Sequence, residues 1–269
     1  MDKYAVVGNP IGHSKSPAIH AMFAEQCQQE LRYDKLELSL EGFEEEVKEF
    51  FEDADNKGLN VTVPFKERAY AMCESLSQRA RRAGAVNTLF MNDKNQLCGD
   101  TTDGAGLVAD LRKNHNIQLN DKKILIVGAG GAVRGVLQPI LEESPAELVI
   151  CNRTVSKVDR LIELFAEIGE VKKSEFSALE GPFDVVINGT SASLGGELPP
   201  LPAGVIASHS VDYDMMYAKE QTIFNAWAQS KGAALTIDGL GMLVEQAAEA
   251  FNLWRGQRPQ TKQVIAALR

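Results

Sequence analysis

Segments whose hydrophobic residues have the spacing of a strand alternate along this chain with segments that have the spacing of a helix. Short apolar or alternating runs predict strands at 4–8, 33–38, 59–63, 123–127, 147–151, 184–188 and 205–211. Between several of these runs the apolar residues recur at helical spacing, as Phe43, Val47 and Phe50 do. This alternation is typical of an α/β protein with parallel strands.

Turn and capping residues indicate where some elements begin and end. Ser16 before Pro17 predicts a helix over 17–27 with Ser16 as its N-cap. The runs 86–91 and 96–99, separated by polar residues, predict a hairpin. Further helices are predicted near Lys66, after Asp103, after the glycines that follow 123–127, at 239–254 and from 260 onward.

A polar stretch at 114–123, followed by a purely apolar strand, divides the chain. The length of 269 residues permits two domains of moderate size. We therefore predict two α/β domains that cover about 1–103 and 104–237.

Composition and charge disfavour several classes of function. The formal net charge of −9 disfavours nucleic acids and anionic membranes as partners. No secretory signal and no apolar run long enough to span a bilayer is visible. The four cysteines contain no CxxC pair, and the four histidines show no HExxH spacing. We expect a reduced, metal-free cytoplasmic protein.

The segment 124–134 has the pattern of a nucleotide-binding turn. A buried strand leads into G-x-G-G-x-x-R, and a helix follows. Glycines permit the tight turn and the close approach of a pyrophosphate, and the N-terminus of the helix attracts the anion. A lone glycine motif is also typical of a structural turn, but the strand before it and the helix after it favour a nucleotide. The predicted contacts are Gly128, Ala129, Gly130, Gly131 and Ala132.

The end of the next strand predicts which dinucleotide binds. An NAD site usually places Asp or Glu there, to bond the ribose 2′-hydroxyl. This strand instead ends in Asn152, Arg153 and Thr154, and Ser156 and Lys157 follow. Two cations suit a 2′-phosphate, so the residues favour NADP over NAD. The alternative is a solvated strand end that begins a helix.

Polar side chains in the first domain fall where apolar ones are expected. They are Ser14, Ser16, Asn60, Thr62, Lys66, Asn87 and Asp103. Each alone is more often structural. Together they supply hydroxyl groups near a helix N-terminus, a cation, a carboxylate and neutral hydrogen-bonding groups. That set suits a small polyhydroxylated acid.

These motifs in combination resemble one family, the shikimate dehydrogenases. The matching segments are GNPIGHSKSP (8–17), NVTVPFK (60–66), GAVNT (84–88), TDG (102–104), GAGGA (128–132), NRT (152–154), YDMMY (213–217) and DGLGML (238–243). The resemblance covers nearly the whole chain. It implies an N-terminal α/β substrate domain formed by 1–103 and 238–269, a C-terminal Rossmann-like NADP-binding domain at 104–237, and an active-site cleft between them. It also implies NADPH-dependent, reversible reduction of 3-dehydroshikimate to shikimate, a step of aromatic amino acid biosynthesis.

The resemblance further assigns individual residues to the two ligands. Residues implied to line the shikimate site are Ser14, Ser16, Thr62, Lys66, Asn87, Asp103, Tyr217 and Gln246. Met215 and Gly239 are implied to border the nicotinamide. Two departures from the family pattern concern the cofactor. Gln78 stands where some relatives have a cofactor-contacting acid. The sequence of 189–196 differs slightly from the family pattern, but the segment is still implied to be a loop of small residues near the cofactor.

The chemistry of the reduction assigns roles to two residues, and two alternative functions of the protein stay open. Lys66 is predicted to be the general acid in reduction and the base in oxidation, and Asp103 to bond both Lys66 and a substrate hydroxyl. One alternative is a quinate/shikimate dehydrogenase that uses NAD and NADP. The other is a nucleotide-binding regulatory protein without catalysis. The expected assembly is a monomer or a homodimer.

Overall fold

A computed structural model describes residues 1–190 and 192–269, without the side chains of Ser193 and Leu194. Contacts within the chain divide it into two compact units, one formed by Met1–Gly106 and Val244–Arg269 and the other by Leu107–Leu243. The bounds of these units differ by a few residues from the predicted domain bounds because each falls inside a helix.

The helices and strands follow one another in the order that the hydrophobic pattern predicts for an α/β chain. The elements up to the first unit boundary are β1 (Asp2–Gly8), α1 (Ser16–Gln26), β2 (Leu31–Glu37), α2 (Phe43–Glu52), β3 (Asn56–Val61), α3 (Lys66–Met72), β4 (Ser75–Leu76), α4 (Gln78–Ala83), β5 (Thr88–Met91), β6 (Leu97–Asp100) and α5 (Asp103–Ala109). The next elements are β7 (Lys123–Val127), α6 (Gly131–Glu142), β8 (Glu147–Cys151), α7 (Ser156–Phe165), β9 (Lys172–Ser174), β10 (Val185–Asn188), β11 (Val211–Asp214), α8 (Ile223–Ser230) and β12 (Leu235–Asp238). The last two are α9 (Leu240–Arg255) and α10 (Lys262–Leu268).

The first unit contains a mixed sheet with the strand order β2-β1-β3-β5-β6-β4. β1 pairs in parallel with β2 and β3, whereas β5 pairs antiparallel with β3 and β6. The predicted hairpin is therefore confirmed as β5 and β6. Phe43 and Val47 of α2 are fully buried in the core beside Phe65. The helical spacing of these apolar residues therefore correctly predicted the face of the helix that packs against the core.

The second unit contains a fully parallel sheet with the order β12-β11-β10-β7-β8-β9. Counted from β9, this is the order 3-2-1-4-5-6 of the doubly wound dinucleotide-binding fold. Ile124, Leu125, Ile126 and Val127 are fully buried because the sheet has apolar clusters on both faces. The predicted fold class, α/β with a Rossmann-like second unit, is confirmed.

The prediction that Ser16 caps α1 is wrong. The helix begins at Ser16, and Lys15, with helical φ of −88° and ψ of −5°, occupies the capping position without a side-chain bond. Ser16 is therefore already inside the first turn, where its hydroxyl group does not cap the next turn. The hydroxyl group of Ser14 instead accepts a bond from the Ser16 backbone N–H at 3.3 Å.

Two predicted strands also differ from the structure. The strand predicted at 59–63 ends at Val61, because Phe65 N donates to Thr62 O at 3.0 Å and turns the chain. The strand predicted at 205–211 begins only at Val211. Ser210 closes a turn before it, since its hydroxyl group donates to Phe183 O at 2.6 Å and accepts from the backbone N–H of residue 207.

Among the helices that the structure describes, none is long and apolar enough to cross a membrane.

Candidate active site

Lys66 and Asp103 form an ion pair in the first unit. Lys66 begins α3 and Asp103 begins α5, and Lys66 Nζ lies 2.6 Å from Asp103 Oδ2. The two side chains are 19% and 10% exposed, so water screens the pair little but can still reach it. A lysine held in this way can give a proton to a neighbouring oxygen atom or take one from it.

Asn87 joins this ion pair through its amide group. Its Nδ2 donates to Asp103 Oδ1 at 2.8 Å and to Gln246 Oε1 at 3.3 Å. Its Oδ1 accepts from the Thr102 backbone N–H at 2.9 Å. The fold thus brings together Lys66, Asn87, Asp103 and Gln246, which were predicted from four separate segments.

Thr102 belongs to the same cluster and is missing from the predicted site. Its hydroxyl oxygen lies 3.0 Å from Asn87 Nδ2 and 3.3 Å from Gln246 Oε1. Its carbonyl group also accepts from Gly106 N at 2.9 Å, at the start of α5. A hydroxyl residue just before a helix is ordinarily explained by capping, so the sequence offered no clear signal of its second role.

Ser14 and Ser16 form a second pair of predicted substrate residues. The hydroxyl group of Ser14 donates to Ser16 Oγ at 3.2 Å, and Ser14 N donates to Ile11 O at 3.0 Å. Two hydroxyl groups at the start of an 11-residue helix can donate to a carboxylate, which the helix N-terminus also attracts. The geometry is compatible with the predicted carboxylate cradle.

Thr62 is half-buried in the turn between β3 and α3, shortly before Lys66. Its backbone N–H donates to Val7 O at 2.9 Å, which ties this turn to β1. The predicted substrate contact of Thr62 stays a prediction.

The glycine turn of the second unit follows β7. Gly128 has a φ of +114°, a conformation that side chains disfavour, and its N–H donates to Cys151 O at 2.8 Å. Among the described residues, a Cβ atom added at Gly130 or Gly131 would meet no atom within 4 Å other than those of its immediate chain surroundings. α6 begins at Gly131 with no side-chain cap and no acid in its first turn. The turn therefore leaves open space before the N-terminus of a 12-residue helix, which fits a phosphate group.

The residues after β8 present positive charge to solvent. Arg153, Thr154, Ser156 and Lys157 are exposed, and within the described ranges the side chains of Arg153 and Lys157 have no ion-pair partner. Asn152 Nδ2 donates to Thr154 O at 2.8 Å, which shapes the loop before α7. Two cations without an ion-pair partner in the described part of the chain fit a 2′-phosphate at this strand end and do not fit the ribose hydroxyl contact of an NAD site.

Met215 and Gly239 lie side by side after β11 and β12. A Cβ atom at Gly239 would lie 2.2 Å from Met215 O, so only glycine permits this approach. Asn188 Nδ2 donates to Asp214 Oδ1 at 3.0 Å, and Met215 N donates to Asn188 O at 3.0 Å, which fixes the chain beyond β11. The predicted cofactor residues thus follow β7, β8, β11 and β12, at one edge of a parallel sheet.

Two other predictions concern residues of the second unit. Tyr217 is half-buried, and burial raises the pKa of its phenol above the ordinary value. Its substrate contact stays a prediction. In the predicted small-residue loop 189–196, Ser191 lies outside the described residues, and Ala192–Gly195 form a short 3-10 helix.

No group of three or more histidine, cysteine, aspartate or glutamate residues that could hold a metal ion is present in the described part of the chain.

Comparison with known proteins identifies the family. Residues 6–89 match the profile described as "Shikimate dehydrogenase substrate binding domain", 110–195 match "Shikimate / quinate 5-dehydrogenase", and 239–269 match "Shikimate 5'-dehydrogenase C-terminal domain". The chain is 58% identical to the "Shikimate dehydrogenase (NADP(+))" of Hahella chejuensis, with 100% of this chain and 99% of that protein covered. The chain belongs to the shikimate dehydrogenase family. The resemblance predicted from the sequence motifs is confirmed.

Solved structures agree with membership of the shikimate dehydrogenase family. An enzyme from Pseudomonas putida named Ael1 is 45% identical, with a TM-score of 0.93 and coverage of 100% of this chain and 98% of that chain. The shikimate 5-dehydrogenase of Thermus thermophilus, solved in complex with NADP(H) and shikimate, is 32% identical, with a TM-score of 0.88 and coverage of 99% and 98%.

Proposed function

We propose that this chain is an NADP-dependent shikimate dehydrogenase, which reversibly reduces 3-dehydroshikimate to shikimate for aromatic amino acid biosynthesis. The observation that carries the proposal is the Lys66–Asp103 ion pair at 2.6 Å, with the amide group of Asn87 bonded to the same carboxylate. A relative 58% identical over the whole chain is named for this reaction and this cofactor.

The residues of the first unit supply the proton and orient the substrate. Bound NADPH supplies the hydride. Lys66 donates a proton from Nζ to the substrate oxygen during reduction and accepts it during oxidation. Asp103 holds Lys66 Nζ through Oδ2 and receives the Asn87 amide group on Oδ1, which leaves the carboxylate in one orientation. A carboxylate so oriented also accepts a hydrogen bond from the substrate hydroxyl next to the reacting carbon.

The residues of the second unit hold the cofactor. The N–H groups at the start of α6 and the open turn at Gly130 and Gly131 receive the pyrophosphate. Arg153 and Lys157 attract the 2′-phosphate, and Thr154 and Ser156 add hydroxyl donors. Gly128, Ala129, Ala132, Asn152, Met215 and Gly239 complete the proposed cofactor contacts.

The absorbance of NADPH provides the direct test. The purified protein is mixed with shikimate or quinate and with NADP or NAD in all four combinations. The proposal expects the largest kcat/KM for shikimate with NADP. Comparable rates with quinate and NAD would establish the dual-specificity alternative, and the absence of turnover in all four mixtures would establish the non-catalytic one.

Replacement of Arg153 by alanine tests the cofactor assignment. The substitution removes a charged donor to the 2′-phosphate, so we expect NADP binding to weaken by ~1.5–3 kcal/mol. Turnover at saturating NADP should change much less, because this contact is remote from the reacting carbon. Arg160→Ala is the matched control, since it removes a partly exposed arginine from α7, the helix that follows Arg153. An unchanged KM for NADP in Arg153→Ala would contradict the assignment.

Replacement of Ser14 by alanine tests the carboxylate cradle. The cradle is remote from the reacting carbon, so it stabilises the ground state and the transition state almost equally. We expect KM for shikimate to rise by the equivalent of ~1.5–3 kcal/mol, the range for a hydrogen bond to a charged group, with kcat little changed. The control is a shikimate analogue with a neutral amide in place of the carboxylate. An equal penalty on both compounds would place the cradle elsewhere.

We propose that the domains follow the predicted division into 1–103 with 238–269, and 104–237. We also propose a cytoplasmic monomer or homodimer without nucleic acid or membrane partners. The net charge of −9 supports this, because it opposes association with polyanions.

A further inference from the structure

A continuous run of buried polar groups connects the two serines of the cradle with the Lys66–Asp103 pair inside the first unit. Its members, in spatial order, are Ser16, Tyr33, Asn60, Thr88, Asn87 and Asp103, and all of them are buried. Tyr33, Asn60 and Thr88 have no place among the proposed substrate contacts. We call the segment from Tyr33 through Asn60, Thr88 and Asn87 to Asp103 the polar relay.

Each member of the polar relay donates to the next. Tyr33 Oη donates to Asn60 Oδ1 at 2.7 Å, and Asn60 Nδ2 donates to Thr88 Oγ1 at 3.3 Å. Thr88 Oγ1 donates to Asn87 Oδ1 at 2.8 Å, and Asn87 Nδ2 donates to Asp103 Oδ1 at 2.8 Å. The donors therefore all point toward the carboxylate, an arrangement in which each bond polarises the next.

Two backbone groups set this direction. Asn60 Nδ2 lies 3.2 Å from the backbone carbonyl of Asn87, which can only accept, so Asn60 Oδ1 must face Tyr33. The Thr102 backbone N–H, which can only donate, lies 2.9 Å from Asn87 Oδ1, so Asn87 Nδ2 must face Asp103. The direction therefore follows from backbone groups that can act only as acceptor or only as donor, and it does not depend on how the amide oxygen and nitrogen atoms were assigned. Tyr33 is the first donor and Asp103 is the final acceptor.

Tyr33 is held in place by its surroundings. The ring of His20 stacks on it, with 4.1 Å between centroids and an interplanar angle of 6°. Burial lowers the pKa of His20 to about 3, so this ring is neutral. Burial also raises the pKa of the Tyr33 phenol well above its ordinary value, an effect that a hydrogen bond with Ser16 opposes. The phenol therefore keeps its proton and can donate it only into a hydrogen bond.

We propose that Tyr33, acting through Asn60 and Thr88, is a positioning residue for the Lys66–Asp103 pair. Its hydroxyl group, together with the backbone carbonyl of Asn87, holds the Asn60 amide in the orientation that lets Thr88 donate to Asn87. Asn87 in turn presents its N–H group to Asp103, and Asp103 keeps the position from which it bonds Lys66 and the substrate. The inference rests on the proposed function, because it concerns the same site.

Tyr33→Phe removes the first donor of the polar relay and keeps the ring on His20. Without this donor, Asn60 Oδ1 loses its bond with Tyr33, and the Asn60 amide that donates to Thr88 is held less firmly. We expect kcat for shikimate oxidation to fall by about 3–30-fold, the range that one or two neutral hydrogen bonds correspond to. KM for NADP should stay within about twofold, because the proposed contacts with NADP lie in the other unit.

Tyr4→Phe is the matched control. Tyr4 lies directly opposite Tyr33 on β1, is buried, and packs on Trp254 with 4.8 Å between ring centroids. Its hydroxyl group accepts from Arg255 Nη1 at 3.3 Å and is not a member of the polar relay. A merely structural hydroxyl group would lower the melting temperature in both variants and leave both kcat values near that of the parent. The proposal requires a kcat defect in Tyr33→Phe alone.

A double-mutant cycle with Thr88→Val separates the remaining outcomes. Both substitutions interrupt one relay, so the double variant should be no slower than the slower single variant, whereas Tyr4→Phe and Thr88→Val should combine multiplicatively. Multiplicative effects of Tyr33→Phe and Thr88→Val, or a kcat of Tyr33→Phe within about twofold of the parent, would overturn the inference. A parent protein without shikimate oxidation would instead overturn the proposed function, and the inference with it.

Discussion

Lys66→Ala is expected to lower kcat by roughly 10²–10⁴-fold, the usual contribution of general acid–base catalysis. Alanine leaves no group at this position that can protonate the substrate oxygen in reduction or accept its proton in oxidation, and water must then take over the proton transfer. The substitution also leaves the Asp103 carboxylate without the cation that lies 2.6 Å away. The loss should therefore appear in kcat, measured as single-turnover oxidation of shikimate at saturating NADP.

Two controls separate this chemical loss from a failure to fold. NADP binding, measured by calorimetry, should be retained, because the glycine turn and Arg153 belong to the other unit. Lys57→Ala removes an exposed lysine from the same unit and should leave kcat unchanged. Near-normal turnover of Lys66→Ala would exclude Lys66 as the proton donor.

Asp103→Asn is expected to lower kcat by about 10–10²-fold and to raise KM for shikimate. The carboxylate accepts from Lys66 Nζ on one oxygen and from Asn87 Nδ2 on the other. An amide group has a single oxygen atom, so one of these two donors must face the amide N–H₂ group and lose its partner. The expected range corresponds to the loss of a hydrogen bond to a charged group, about 1.5–3 kcal/mol.

Asp100→Asn provides the matched control for Asp103→Asn. Asp100 is also a buried carboxylate of the first unit with a cationic partner, since Arg79 Nε lies 2.7 Å from Asp100 Oδ1. Each variant breaks a buried ion pair and should melt at a lower temperature than the parent. Only Asp103→Asn should lose turnover below its melting temperature. A comparable loss of kcat in both variants would show that general destabilisation causes the effect.

The nucleotide-binding turn was predictable because its requirements are local. A buried strand, glycines and a helix start must follow one another within one short segment, and Gly128 indeed has the positive φ that the turn demands. The cations Arg153 and Lys157 follow the next strand of the same sheet. Parallel strands carry their carboxyl ends to one edge, so the order of elements already predicts that these groups gather there.

Apart from the bond between Lys66 and Asp103, the polar cluster of the first unit was predictable only as a set of residue types. Ser16 looked like a helix cap, yet the helix begins at Ser16 itself and its hydroxyl group bonds with Ser14 and Tyr33. Thr102 was not among the predicted site residues, yet its N–H orients the Asn87 amide. Local propensity cannot distinguish these roles, because the partners come from distant segments.

The sequence by itself determined the α/β class, the dinucleotide-binding turn, the preference for NADP and the inventory of polar groups offered to the substrate. Each of these depends on neighbouring residues or on a fixed spacing along one element. The tertiary structure alone decided that Asn87 faces the carboxylate with its N–H group, that Thr102 bonds with Asn87, and that Tyr33 begins the polar relay. Buried donors and acceptors must find partners wherever packing places them, and packing is a property of the whole chain.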